Sequence, residues 1–531
     1  MSDPNHPETY RSQNPSAIFI CVFFIFLIFV ICESVNAQDQ QKGQTGFLGK
    51  ADLYKAKKTA LDYLSDSATI KKYGSISDAI WNYAELGMQE FQSSELLIRT
   101  LEEAGFVVEK GLAGMPTCFT GTWGSGKPVI GILGEFDALP MISQKPRTSK
   151  QYPLVEGAPG HGCGHNMMGT AGVAAAIAVK KALEENKLQG TIKFFGSPAE
   201  ETVISRPYMV KAGLFNDVDA VIDNHASAEL ATSYGVNGNA LISVVFSFKG
   251  KTAHSAAAPW SGRSALDGVE IMNVATNYLR EHLFYTYRMH YVVTEGGEAP
   301  NVVPDKASVW YYVRNTDERL EETYQRVLEC ARGAAIASGT SLDTARIITG
   351  IHQRHSNKGM AEVLQMNIEL VGMPKWTEEE QTFAKSLQKE LGVKETGMPS
   401  EIHPLKAPAG GMNGGSSDVG EVTLIAPTAT LNFPGNVPGA IAHHWSTVTS
   451  GYGLTAWKGL NAGAKVMAST ALDLITKPKL LEKIKAEFAE YSKEHPYKSF
   501  LPDGAKPPID LNKDLMEKYR KAMSEALPEE N

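Results

Sequence analysis

Gly160-His161-Gly162-Cys163-Gly164-His165-Asn166 is the stretch on which the reading of this 531-residue chain turns. Cys163 and His165 stand two apart among glycines, so a tight loop aims a thiolate and an imidazole at one point. Sulfur with imidazole nitrogen suits zinc, and also manganese, cobalt or nickel when carboxylates join them. Downstream come Pro198-Ala199-Glu200-Glu201, then Asp223-Asn224-His225, then His443-His444-Trp445. These supply the remaining donors and one spare carboxylate. The combination points to metal-assisted hydrolysis rather than to packing.

Around this loop, strand and helix patterns alternate. Residues 51–66 and 76–104 read as two amphipathic helices, and 118–123 with 129–134 as a hairpin joined through Gly124-Ser125-Gly126. Residues 141–160 are rich in Pro, Gly and polar groups and are expected to shape a site entrance. An Ala-rich helix over 167–185 is followed by short apolar strands at 191–195 and 220–222. The alternation argues for an α/β fold with a mostly parallel sheet. Glu201 and His225 then come directly after strands, where ligands gather in open α/β sheets.

From residue 239 the pattern changes. Strand 241–249, helix 264–282, strands 289–294 and 307–314, helix 320–338 and strand 344–350 make β-α-β-β-α-β, a ferredoxin-like unit. The expected organisation is a leader over 1–37, catalytic residues 38–238, an inserted domain over 239–355, and catalytic residues 356–476. Within the last of these, 358–372 and 378–391 read as helices, 410–415 as a glycine-rich loop, 428–433 as a strand and 447–476 as helix-rich. Residues 477–531 are rich in Lys and Glu and read as a surface appendage of short helices.

Hydrophobic content of 43% and charged content of 21% are ordinary for a globular protein. A net charge of -8 gives no electrostatic footprint for nucleic acid. Residues 17–32 are almost purely apolar, short for a membrane span and suited to a signal-peptide core. Val35-Asn36-Ala37 offers a cleavage site and predicts export to the periplasm or beyond; the alternative is a retained membrane anchor. The leader's first part is atypical, carrying Asp3 and Glu8 with Arg11 as its only basic residue. Of five cysteines, Cys21 and Cys32 fall in the leader, leaving Cys118, Cys163 and Cys330. That odd, small set argues for a fold held by its core rather than by disulfides. Cys118 and Cys330 read as small buried hydrophobes.

Gly134-Glu135-Phe136-Asp137-Ala138-Leu139-Pro140, the Cys163 loop, Pro198–Glu201, His254-Ser255-Ala256-Ala257-Ala258-Pro259 and Asn301-Val302-Val303-Pro304 occur in a recognisable order. The set resembles the metallo-amidohydrolases of the aminoacylase and hippurate-hydrolase type. These form metallopeptidase family M20, here its cysteine-containing branch, which includes the auxin-conjugate hydrolases. Gly415-Ser416-Ser417-Asp418-Val419-Gly420-Glu421-Val422 and the His-x-Trp ending look most like the B-type chains of the aminobenzoyl-glutamate hydrolases. The resemblance covers about residues 50–475 and implies a zinc-peptidase-like catalytic domain whose inserted unit serves as lid and dimerisation domain.

By that resemblance, Cys163, His165, Glu201, His225 and His443 fall on the ligand positions for two divalent metal ions. Glu200 falls on the general base and acid. His254 falls on a position that reaches into the neighbouring subunit's site. Asn301 and Arg314 match positions near the substrate carboxylate or the domain interface. The implied reaction cleaves the amide bond of N-acyl or N-aroyl amino acids, small substrates of the aminobenzoyl-glutamate kind. The alternatives are a metallo-dipeptidase or carboxypeptidase on the same scaffold, or a non-catalytic partner subunit. The chain is expected to form a homodimer or to pair with a paralogous subunit.

The residues also permit plainer readings. Paired glutamates favour a helix start through the helix dipole. His254 could stand on a surface loop, and His444 competes with His443 for the ligand position. Glu135 and Asp137 read as groups that orient ligands, and His161 as loop structure. Asp418 either orients the site or caps a helix. Two departures weigh against hippurate- or auxin-like substrates. Asn166 stands where auxin-conjugate hydrolases carry Asp, and Thr202-Val203-Ile204-Ser205-Arg206-Pro207 replaces the glycines that follow the paired Glu in many relatives.

Overall fold

The computed structural model describes residues 50–407 and 414–526. The leader, and most of the glycine-rich loop expected at 410–415, lie outside the described residues. Among those described, no helix is long and apolar enough to cross a membrane.

The strands of the chain are β1 (Val107–Lys110), β2 (Phe119–Ser125), β3 (Val129–Glu135), β4 (Gly190–Ser197), β5 (Ala220–Ser227), β6 (Ala231–Thr232), β7 (Gly235–Asn237), β8 (Ala240–Lys249), β9 (Arg288–Glu295), β10 (Lys306–Asn315), β11 (Ser341–Ile351), β12 (Arg354–Ser356) and β13 (Thr428–Pro434). Seven of them form one sheet in the order β1-β2-β4-β3-β5-β13-β6. Its centre, β4-β3-β5-β13, is parallel, and its flanks are antiparallel. Every residue of β3 is buried, as a strand covered on both faces requires. Helix His165–Glu185 carries the crossover from β3 to β4 and packs against helix Leu454–Thr476. Its small residues, Ala171 and Ala174 through Ala176 among them, lie wholly inside the core.

A second sheet, β11-β8-β10-β9, is antiparallel throughout. With helices Ala265–Leu279 and Asp317–Ser338 it runs β-α-β-β-α-β along the chain. Period-two alternation explains its packing. Ile242, Val244, Phe246 and Phe248 of β8 join Val309, Tyr311 and Val313 of β10 in one buried cluster with the two helices. The other face of β10 carries Trp310, Tyr312 and Arg314, all half-buried.

Two expectations are corrected. First, β2 and β3 form no hairpin, because β4 lies between them, antiparallel to β2 and parallel to β3. At Gly124 (φ 93°) the turn passes so close to β4 that a Cβ would lie 2.2 Å from the Gly190 carbonyl oxygen. Second, the helix expected over 76–104 is two helices, Ser67–Tyr83 and Phe91–Glu103. The break turns Glu85 and Glu90 inward, where both are fully buried. The Glu85 carbonyl there accepts the Ala138 N–H at 2.7 Å, tying the break to the loop after β3. The segment 447–476 is helix-rich as expected, in helices Trp445–Ser450 and Leu454–Thr476.

Beyond residue 477 the chain lies against the main body. Leu481 and Ile484 of helix Pro478–Glu494 enter the main core. Met516 and Met523 of helix Lys513–Glu525 are also buried.

Candidate metal centre

The C-terminal ends of the parallel strands converge. Glu135 ends β3 and Asp137 follows it; Glu200 and Glu201 follow β4; His225 lies near the end of β5. Cys163 and His165 sit at the start of helix His165–Glu185, and His443 precedes helix Trp445–Ser450. Gly164 separates Cys163 from His165 with φ 86°, and a Cβ there would lie 2.6 Å from that of Ala226. Only glycine satisfies both demands, so the loop reaches its geometry at the cost of a side chain.

Among the described residues, ligand-capable atoms fall within 4.8 Å of one another in three groups: Cys163, His165 and His225; Cys163, Glu201 and His443; and Glu135, His165 and Glu200. Cys163 is common to the first two. Its Sγ is 3.3 Å from His225 Nε2, while His225 Nδ1 donates to the Ala226 carbonyl at 2.7 Å. That bond leaves Nε2 as the free nitrogen facing the sulfur. His165 Nδ1 donates to Asp137 Oδ1 at 2.9 Å, leaving Nε2 facing the carboxylates. Glu201 Oε2 is 3.2 Å from His443 Nε2. His444 instead turns back to its own helix, its Nδ1 3.0 Å from the Ser446 hydroxyl.

The donor set fits divalent cations. His165 Nε2, Glu135 Oε2 and Glu201 Oε1 are buried with no hydrogen-bond partner. His165 Nε2 and Glu135 Oε2 are 3.2 Å apart, but not in hydrogen-bonding geometry. Burial pushes the Glu201 carboxyl up to about 8, neighbouring acids adding to it and His165 opposing. Burial pushes Glu200 well above the usual carboxylate range, with Glu135 and Asp418 adding to it. Burial, helped by Glu201, pushes the Cys163 thiol up to about 12. Burial works downward on His165, but Glu201, Cys163 and Glu135 outweigh it and hold that imidazole well above its ordinary value. Burial lowers His225 to about 4, with His165 adding to it, so His225 stays neutral. Crowded acids, a thiol and an orphaned imidazole nitrogen form a donor set whose charge bound cations would balance.

Around these donors lies a support layer. Asp137 Oδ2 accepts the Glu201 N–H at 3.0 Å. Arg206 is fully buried, pairing with Glu135 Oε1 at 2.7 Å and with Asp418. Asp418 also accepts the Arg206 N–H at 3.0 Å, so it orients Arg206 rather than capping its own helix. Sequence reasoning passed over Arg206; its only signal was a charge among the buried residues at the start of helix Ser205–Lys211. Asn166 Nδ2 donates to the Ser77 hydroxyl at 3.0 Å and to the Gly451 carbonyl at 2.9 Å. An aspartate there has no donor for the Gly451 carbonyl and could only accept from the Ser77 hydroxyl. His161 faces the Ile80 carbonyl at 3.0 Å.

The remaining candidates lie on the four-stranded sheet and its loops. Arg314 donates from Nε to the Ser416 hydroxyl at 3.0 Å and stacks 4.9 Å over the Tyr312 ring. Burial pushes the Tyr312 phenol up to about 12, Arg314 working against it and Glu200 and Glu201 adding to it. That face therefore lies within the field of Glu200 and Glu201. His254 is not brought to the centre within this chain. It stands exposed, its Nδ1 accepting the N–H groups of Ala256 and Ala257 at 3.2 Å. Asn301 is exposed beside it, its carbonyl accepting the Ser255 N–H at 3.1 Å.

Comparison with known proteins fits this arrangement. Residues 131–530 match the model of peptidase family M20/M25/M40. The chain is 35% identical to the B subunit of p-aminobenzoyl-glutamate hydrolase from Escherichia coli (strain K12), over 82% of this chain and 96% of that one. It is 28% identical to Xaa-Arg dipeptidase of Mus musculus, over 85% and 96% respectively. A dinuclear metal-binding peptidase of the M20 family from Bacillus subtilis has the same fold, with a TM-score of 0.50 and 17% identity over 78% of this chain and all of that one.

Proposed function

The chain belongs to peptidase family M20/M25/M40, and on that premise we propose that it is a hydrolase of N-acyl or N-aroyl amino acids that works with two divalent metal ions. The observation that carries this reading is the position of Cys163, common to two ligand-capable groups, with the spare carboxylate of Glu200 beside them. His165 and His225 would complete one ion's set and Glu201 with His443 the other's. Bound there, the ions would polarise the scissile carbonyl and activate a water.

Glu200 is the proton carrier. Its Oε2 lies 3.8 Å from His165 Nε2, next to the ligands but with Glu201 positioned in its stead as the metal-facing acid. It takes the proton of the attacking water and hands it to the departing amine. Glu135, held on Arg206, keeps its free oxygen toward His165 and closes that side of the centre. Arg314, half-buried on the sheet face beside Tyr312, is the cation available to a substrate carboxylate.

His254 and Asn301 enter through a second subunit. Both lie on adjoining exposed loops joined by a bridge between His254 and Val302. In a dimer formed through the four-stranded sheet and its helices, His254 of one chain would reach the other's centre and steady the developing oxyanion. Exposed Ile271, Val274 and Tyr278 on helix Ala265–Leu279, with Val292 and Val293 on the edge strand β9, supply the apolar surface for it. The Escherichia coli relative is named as one of two kinds of subunit, which supports a paralogous chain as the other possible partner. Export by the leader completes the proposal.

A panel of p-aminobenzoyl-glutamate, N-acyl amino acids and dipeptides tests the substrate class, with zinc or manganese added to residues 38–531. Turnover of the acyl conjugates is expected. Hydrolysis confined to dipeptides with a free amine would transfer the chain to the peptidase reading, which the likeness to Xaa-Arg dipeptidase supports.

A further inference from the structure

Glu200, Glu201 and Thr202 form a single 3₁₀ turn with a left-handed residue at each end. Ala199 has φ 53° and Val203 φ 52°, neither of them glycine and one of them β-branched. Backbone of this kind persists only where its surroundings over-determine it. Three side chains do so. Asp137 accepts the Glu201 N–H at 3.0 Å, the Thr349 hydroxyl donates to the Val203 carbonyl at 2.7 Å, and Glu90 Oε1 accepts the Ala199 N–H at 2.8 Å.

Asp137 also serves His165, and Thr349 belongs to the second sheet. Glu90 stands apart. It is fully buried and, among the described residues, makes no ion pair that would explain a carboxyl at that place. Its other oxygen accepts the Thr117 hydroxyl at 2.9 Å. A carboxyl buried without a cation is costly unless its hydrogen bonds matter. Its segment is also pressed against the turn, since a Cβ on Gly87 would lie 2.9 Å from the Ala199 Cα.

The segment is braced from behind by the C-terminal part of the chain. Gln89 donates to the carbonyls of Ile509 and Leu511 at 3.1 and 3.0 Å, Asn512 donates to the Gly87 carbonyl at 3.0 Å, and Arg520 pairs with Glu85. Glu90 therefore approaches Ala199 from a fixed base.

We propose that Glu90 is a positioning residue: its hydrogen bond to the left-handed Ala199 sets the strained turn on which Glu200 and Glu201 stand. The inference rests on the reading of those two residues as proton carrier and metal ligand. Moving the turn displaces both at once, so metal retention and turnover should fall together.

The test uses the full mature chain with Glu90→Met and Glu90→Gln, reading zinc affinity by chelator competition, kcat and KM with p-aminobenzoyl-glutamate, and the melting temperature. Gln keeps an oxygen for the Ala199 N–H, whereas Met keeps only the volume. Folded Glu90→Met is expected to bind zinc about tenfold more weakly, in line with supporting groups at other metal sites, and to lose about tenfold in kcat with KM little changed. Glu90→Gln should stay within about threefold of wild type in both. Should Glu90→Met fail to fold, Thr117→Val frees one oxygen of Glu90 and should give a loss of about threefold in zinc affinity. Wild-type zinc affinity in folded Glu90→Met, or in Thr117→Val, overturns the proposal, as does a Glu90→Gln as impaired as Glu90→Met. Zinc binding that follows this order in a chain hydrolysing no substrate would sustain the positioning role and contradict the proposed reaction instead.

Discussion

Asp137 holds His165 and Glu201 with its two oxygens, the first 2.9 Å from His165 Nδ1 and the second 3.0 Å from the Glu201 N–H. One carboxylate thus fixes the imidazole of one proposed ligand and the backbone of another. Asp137→Asn retains the shape but can accept only through one atom, so one of the two bonds is lost. Zinc affinity should fall by about 10–100-fold, measured by competition with a chromogenic chelator. Unchanged affinity would remove Asp137 from this part.

Arg206 lies wholly buried between Glu135 and Asp418. Arg206→Met strands both carboxylates without a cation. Breaking a buried pair from one side costs about 3–5 kcal/mol, so urea unfolding should shift by that order. A variant as stable as wild type would show that the ion network contributes nothing net.

Asn166 donates to Ser77 and Gly451 and so joins helix Ser67–Tyr83 to the loop before helix Leu454–Thr476. Asn166→Asp sets an acceptor against the Gly451 carbonyl, while the Ser77 hydroxyl can turn to donate to it. The loss should be about 1–3 kcal/mol, seen as a lower midpoint in denaturant at saturating zinc. Equal midpoints would refute the account of this departure from relatives.

The metal-free chain should lose stability as pH rises from about 6.5 to 8. Glu201, raised to about 8, and His165, held above its ordinary value, both bind protons more tightly folded than unfolded. Their contribution is fully present below the unfolded pKa and disappears as pH climbs through the folded one. Below about 6.5 the buried neutral His161 and His225, lowered to about 3 and about 4, oppose the trend. Zinc should cancel the high-pH loss, because bound metal takes the place of those protons. Thermal melts of apo and zinc-loaded protein across this window check the sign; an apo chain that gains stability toward pH 8 contradicts it.

Much of this was legible in the sequence. The alternating strands and helices indicated a mostly parallel α/β sheet, and the succession of strand and helix patterns over 241–350 indicated the β-α-β-β-α-β order that carries β8 through β11. Cys163, His165, Glu201, His225 and His443 were indicated by motifs that resemble a known family in type and order, with His444 left as an alternative to His443, and the fold gathers them in groups that could hold a metal. What escaped was set by long-range placement. Glu85 and Glu90 read as the polar face of one long helix, since nothing local reveals a carboxyl that bonds Ala199 more than a hundred residues away. The hairpin failed for the same reason, as β4 comes from beyond a 21-residue helix to separate β2 from β3. Arg206 gave only the weak signal of a charge in an apolar helix. Among the described residues His254 and Asn301 show no contact with the centre, so the part proposed for them depends on a second subunit.

The most direct measurement is metal content and turnover of wild type beside Glu200→Gln, both loaded with zinc and assayed on p-aminobenzoyl-glutamate and the acyl-amino acids. The account predicts about two ions per chain in each protein and a turnover in Glu200→Gln lower by about 10²–10⁴-fold. Turnover that survives in Glu200→Gln, or that persists in wild type after the metal has been stripped, would contradict it.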